Sequence, residues 1–570
     1  MREKFEAQPI IPSAEKENLI EPGPKLRNIY KTLTFMEGYA DWKKDLPEKI
    51  GPWENSTELF NNVQQAVREH VIDKISAFKG KAPSVAEIAD ENMIDILANN
   101  WPEDTPEIEG QRREILLAVA AHVIRNMETK AYQMVLEDAD EKRLEKLGLN
   151  PELRDVVTET LDACKRADLV FIRYLAFANL SPEAPEEASA SHFFVPGDDK
   201  PHTINSLFPR DTQFIARRFK EIADMPVDWK KIPGGEIFKE YLGALSDAFL
   251  EKDIAKIEEC YKKVSELFQQ SSSSEFPVLI VPPEYTSGYA KQPYHDPELR
   301  VCLRAPECRE IEESLPEVQK IMAECLEESG RPDFSQDLLK KKISVVNSIG
   351  DYGVGLNCKG FAQASESMIL MFYSETLKAQ GEMAKRKNFQ VENLEAEDGR
   401  KMLFYGTLLH EFGHLHNDEE NPEVKRLGRD WGVTIGEAEA ETLYRSLIPQ
   451  MIEKGGIEGT KEQWAAALVE SSLEELRDKS AEGDPEYYYS SAYTLNRLFS
   501  EGVVEFNFKT GRVSIKDIDA FYEIQKELSD GVLGLYEDES MNSKKADKWA
   551  RENCVPNKIV KKISNFIKKK

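Results

Sequence analysis

From about residue 56 to 270, apolar positions return every three to four residues, the period of helices that each bury one face. The stretch "EILLAVAAHVIRNMETKAYQMVLEDADEKRLEKLG" keeps this period and ends on a glycine suited to a C-cap. "VVTETLDACKRADLVFIRYLAFANL" and "IAKIEECYKKVSELFQQ" behave alike, while "SPEAPEEASASHFFVPGDDKPH" between them predicts a long surface loop. The pattern changes near residue 271. "QSSSSEFPVLIVPPEYTSGYAKQPYHDPELRVCLRAP" opens with serines and carries a short apolar run bounded by prolines, which predicts a strand and irregular chain. Helices return from about 311. "SVVNSIGDYGVGLNCKGFAQASESMIL" then inserts a glycine-rich turn or extended stretch before what reads as another helix. Late in the chain, "GVVEFNFKTGRVSI" alternates apolar and polar residues around Lys509-Thr510-Gly511-Arg512, a hairpin signal.

The expected class is mainly α with a smaller β component. The expected divisions are a helical region at 1–270, a mixed strand and loop segment at 271–345, a third region at 346–550, and a basic tail at 551–570. The tail, "NKIVKKISNFIKKK", has apolar residues at helical spacing and is read as a solvated terminal helix.

The chain has 570 residues and a net charge of -28, which argues against nucleic acid and against an anionic membrane surface, since both need a basic footprint. No run of about 18 apolar residues marks a membrane span, and the first residues lack the apolar core of a secretory signal. Seven cysteines, without disulfide or CxxC spacing, fit reduced thiols in a cytoplasmic protein. Nothing in the sequence sets an oligomeric state.

"MLFYGTLLHEFGHL", residues 402–415, fits one helix and contains H-E-x-x-H. His410 and His414 are four apart and share a face, so their ring nitrogens can converge on one zinc ion. Glu411 then projects beside the metal, where it can exchange a proton with water. His416, two residues on, points elsewhere and reads as a residue of the helix C-terminus or one lying behind the ligands, not as a ligand itself. A catalytic zinc takes three protein ligands. A helix opening at Gly436 and running to about Leu447, before Pro449, offers Glu437 and Glu441 on one face, with Glu439 roughly opposite. The economical assignment makes Glu437 the third ligand and Glu441 the partner of the far nitrogen of a zinc-bound histidine. A register that makes Glu441 the ligand stays open.

"YGTLLHEFGHLH" followed by "GEAEAE" resembles the metal site of the dipeptidyl peptidase III family of zinc peptidases. "LNRLFSEGVVEFNFKTGRVSI" and "FYEIQKELSDGVLGLYEDES" resemble its later order of helix, strand pair and helix. The resemblance covers about residues 345–545. It implies one zinc per chain, His410, His414 and Glu437 as ligands, Glu411 as general base and Glu441 behind the ligands. It also implies a two-lobed fold, with a helical zinc-bearing lobe, a mixed lobe with a β-barrel core, and a wide cleft for a peptide substrate cut two residues from its N-terminus. Most members space the histidines by one more residue. They also place a further histidine after the ligand glutamate, whereas no histidine follows His416 here. Tyr487, Tyr488, Tyr489 or Tyr493 in "EYYYSSAY" could replace it as the donor to the reacting oxygen, and Tyr489 is the residue assigned. Asn357 is assigned to the substrate N-terminus. A zinc hydrolase of another amide or of one specific protein, and an inactive helical interaction protein, are the alternatives.

Overall fold

The computed structural model describes residues 46, 48–79, 111–168, 170, 193–194, 200–282, 285–286, 294–295, 299–352, 362–364, 368–374, 376, 379, 390–392, 394–416, 422–479 and 485–568. The described chain is mainly α with a smaller β component. Its helices in order are α1 (Ser56–Lys79), α2 (Gln111–Asp138), α3 (Glu141–Lys146), α4 (Pro151–Cys164), α5 (Ile204–Leu207), α6 (Pro209–Ala223), α7 (Gly235–Leu250), α8 (Ile254–Ser272), α9 (Pro306–Glu312), α10 (Leu315–Glu328) and α11 (Pro332–Lys340). The series continues with α12 (Ala396–Gly413), α13 (Pro422–Leu427), α14 (Arg429–Glu453), α15 (Lys461–Asp478), α16 (Pro485–Ser500), α17 (Ile518–Glu537), α18 (Ser543–Asn553) and α19 (Lys558–Ile567).

The N-terminal helices follow their apolar stripes. In α6 the buried residues Ile215, Ala216, Phe219, Ile222 and Ala223 recur with helical period. Local chemistry sets the ends. Asn150 accepts from the Leu153 amide ahead of α4, and Pro151 fills the first turn, where no amide partner is needed. Gly148, at a φ of 71°, turns the chain after α3.

The main sheet has five strands in the order β1 (Val278–Val281), β4 (Leu299–Leu303), β5 (Lys342–Tyr352), β7 (Met368–Phe372), β6 (Ala362–Ala364). Two short pairs stand apart from it: β2 (Tyr285–Thr286) with β3 (Tyr294–His295), and β8 (Val504–Asn507) with β9 (Arg512–Ile515), the expected hairpin. The β5–β7 pairing is parallel and the other pairings in the main sheet are antiparallel. The division expected at 345/346 falls inside β5, which pairs with both β4 and β7.

The sheet separates two hydrophobic cores. Met368, Leu370 and Phe372 of β7 belong to the core built with the N-terminal helices. Ile369 and Met371 belong to the core built with the C-terminal helices. A strand covered on both faces is a continuous apolar run without alternation. For that reason "SESMIL", expected to lead into a helix, is partly β7. The resemblance implies a barrel in this region. Among the described residues the main sheet is open, with β1 and β6 at its edges.

The C-terminal core surrounds α14, a helix buried around most of its circumference: Ile435, Ala438, Glu439, Thr442, Leu443 and Arg445 are all inside. The basic tail packs onto the same core. Val560, Ile563 and Ile567 of α19 are buried, each stabilising the docked helix by roughly 1.5–3 kcal/mol. Its lysines face outward. No helix among the described residues is long and apolar enough to cross a membrane.

Candidate metal centre

Two helices build the site. α12 starts at Ala396, six residues before the expected helix, and ends at Gly413, so His414 is its C-cap, with a ψ of 85° outside the helical range. α14 also exceeds expectation: it begins seven residues before Gly436 and carries Pro449 inside it, where the missing amide leaves the Arg445 carbonyl without its helical donor. The crossing is close because Gly413 has no side chain. A Cβ there would lie 2.6 Å from the Ala440 carbonyl oxygen and 3.0 Å from its Cα.

The Nε2 atoms of His410 and His414 stand 3.1 Å apart. Glu437 reaches them from α14, with Oε2 at 3.3 Å from His410 Nε2 and Oε1 at 4.0 Å from His414 Nε2. Glu437 Oε2 has no hydrogen-bond partner among the described residues, although it is buried. The three side chains are 12–15% exposed, so the site keeps one face near solvent.

Behind them, the His410 Nδ1–H donates to Glu441 Oε1 at 2.9 Å. Glu441 also pairs with Arg445, whose guanidinium donates to Ser472 Oγ at 3.0 Å. The sequence reading passed over Arg445; its position one turn after Glu441 was the available signal. Lys341, at the mouth of β5, was also missed. Its ammonium donates to the His414 carbonyl at 3.3 Å, meeting an acceptor that the helix end leaves open.

Protonation divides the two rings. Burial, opposed by Glu437 and reinforced by His410 and Lys341, pushes His414 down to about 4, so its ring is neutral at pH 7. Burial also disfavours charge on His410. The Glu437 contact, with the charges of Glu437 and Glu411, outweighs it and raises His410 above the usual histidine value. Burial raises Glu437, yet the His410 contact and the charges of both histidines hold its carboxyl below the usual range. Burial lowers the Lys341 ammonium against the pull of Glu411, Glu439 and Asp337.

The donor set suits zinc. Tetrahedral ligands at about 2.0–2.1 Å from a metal are separated from each other by roughly 3.3–3.4 Å. The 3.1, 3.3 and 4.0 Å separations bracket that edge. His410, His414 and Glu437 form the group among the described residues that could hold a metal ion.

No protein-family model and no curated protein matches the sequence. Solved structures match its fold. DPP III from Caldithrix abyssi aligns with a TM-score of 0.51 at 15% identity, covering 78% of this chain and 92% of that one. The fold is DPP III-like. At that identity the match speaks for the architecture and leaves the chemistry to the residues.

Tyr489, on α16, packs on Trp431 at a centroid distance of 5.0 Å. Trp431 precedes Glu437 by six residues, about 9 Å along the helix axis. Tyr493, its neighbour in the same run, donates to the Leu528 carbonyl at 3.0 Å and is committed to the core. Asn357 lies outside the described residues.

Proposed function

We propose that this protein is a zinc metallopeptidase that hydrolyses oligopeptides and releases dipeptides from the N-terminus. One observation carries the reading: two imidazole nitrogens, one from α12 and one from its C-cap, and one carboxylate from α14 come together, with Glu411 next to them in the chain. His410, His414 and Glu437 would hold the ion. When bound, zinc polarises the scissile carbonyl and makes water a stronger acid. Glu441 accepts the Nδ1–H of His410, which fixes the ring so that Nε2 presents its lone pair forward. Glu411 is the general base. It takes one proton from water as the water oxygen bonds to the carbonyl carbon, then returns it to the amine nitrogen as the C–N bond breaks. The net charge of -28 favours substrates with a cationic N-terminus. The fold supports the peptidase class, and the cut position rests on the family resemblance.

Metal analysis and peptide digestion of Glu411→Gln test this. The expected result is about one zinc per chain in both forms, dipeptide release by the wild type, and a loss of at least about 100-fold in the variant. Absence of zinc in the wild type, or full activity in the variant, removes the proposal. Internal cuts in a mixed peptide library would keep the zinc chemistry and reject the dipeptide specificity.

A further inference from the structure

His414 poses a mechanical problem. It is the residue after the last helical one, so helical hydrogen bonding does not fix the turn that carries it. Two residues on, His416 is held far more firmly. Its side chain is 8% exposed, and its Nδ1–H donates to Glu439 Oε1 at 2.6 Å. Its ring lies flat on Tyr536 of α17, centroids 4.0 Å apart and planes within 6°, and meets the edge of Phe334 at 5.2 Å. Glu439 is 1% exposed and also accepts from the Tyr536 hydroxyl.

We infer that His416 and Glu439 are positioning residues that hold the turn presenting His414. The inference rests on the proposed zinc site and deepens it. Glu439 sits two residues after Glu437 and turns to the other side of α14, so one helix holds Glu437 on one face and anchors the His414 turn on the other. The α-carbons of His414 and His416 are at most about 7 Å apart. A shift at His416 therefore passes to His414, where a metal site tolerates about 0.2 Å. Lys341 holds the near end of the same turn through the His414 carbonyl. A burial role alone would need the flat ring on Tyr536 and not the short bond to Glu439, which makes the two roles separable.

The separating variant is His416→Phe, which keeps the stacked ring and loses the hydrogen bond; His416→Gln restores a donor. Full-length metal-free protein is measured for thermal unfolding and for amide exchange at residues 410–416, and zinc affinity is measured by chelator competition. The expected result for His416→Phe is unfolding within a few degrees of wild type, faster exchange in that segment, and zinc affinity lowered about 10–100-fold. His416→Gln should recover most of the affinity. Wild-type exchange and affinity in His416→Phe would overturn the inference while leaving the zinc site standing. A wild type without zinc affinity would overturn both. Should His416→Phe fail to fold, Glu439→Gln decides, because it keeps an acceptor and loses the charge. A several-fold affinity loss supports the pairing, and unchanged affinity rejects it.

Discussion

Substituting Gly413 by alanine tests whether the helix crossing sets the geometry of the site. The added methyl would lie 2.6 Å from the Ala440 carbonyl oxygen, about 0.8 Å inside the 3.4 Å at which ordinary contact begins. The clashing atoms are backbone, so no side chain can rotate away. α12 must move off α14, or its last turn must unwind. Overpacking of this kind costs about 1–3 kcal/mol. The site amplifies the effect, because Gly413 adjoins His414 and Ala440 follows Glu437 by three residues. A displacement of several tenths of an ångström exceeds the roughly 0.2 Å a coordination sphere tolerates. Zinc affinity should fall on the order of 10–100-fold. Gly406, Gly432 and Gly436 supply the controls. A Cβ on any of them meets no heavy atom within 4 Å, so alanine should stabilise the helix by about 0.5–1 kcal/mol and leave zinc binding alone. Denaturant unfolding of the metal-free protein and chelator competition give the two numbers. Wild-type stability and affinity in Gly413→Ala would show slack in the crossing and refute the reasoning.

Glu441→Ala should weaken zinc about 10–100-fold, because His410 loses the acceptor that fixes its ring. It should also destabilise the metal-free fold by about 3 kcal/mol, because buried Arg445 loses a carboxylate; calorimetry and competition titration read the two losses, and an unchanged affinity would remove Glu441 from the site. Zinc affinity should fall with decreasing pH below the raised pKa of His410, since that ring must shed a proton to bind metal, whereas His414, at about 4, is already neutral. Near pH 6, calorimetry in buffers of different ionisation enthalpy should therefore count about one proton released per zinc, and two would contradict the division between the rings. The depressed His414 value also has a sign in metal-free stability. Its unfolded ring binds a proton below about 6.5 and its folded ring does not until about 4, so unfolding free energy should decline as pH drops through that window.

The parts of the fold that were legible in the sequence are those where one face decides. The mainly α class followed from the helical period, and the β8–β9 hairpin followed from alternation around a glycine turn. The spacing of the acidic residues on α14 carried real geometry as well: Glu437 and Glu441 both reach His410, and Glu439 turns away to His416. The misjudged stretches share a cause, because tertiary contacts there override local signals. Gly436 reads as a helix start yet lies inside α14, whose N-cap is Gly428. Pro449 read as a stop, but the buried helix continues past it. The same burial explains β7, where five consecutive covered residues leave no period to read.

What spacing could not convey is how α12 and α14 are registered, since that depends on contacts between segments far apart in the chain. Gly413 carries no signal inside the motif, and the spacing of His416 says only that it points away from the ligands, at the helix end or behind them. It does point elsewhere, onto Tyr536, which is 120 residues downstream. A motif lists the groups that could meet at a point, but their distances are set by the elements that hold the chain on either side. Here those elements are a missing Cβ at the crossing and a buried imidazole–carboxylate pair on the far face of α14. Two chains could share H-E-x-x-H and the later glutamates and still differ in metal affinity if one has a larger residue at the position of Gly413 or loses the acceptor at that of Glu439.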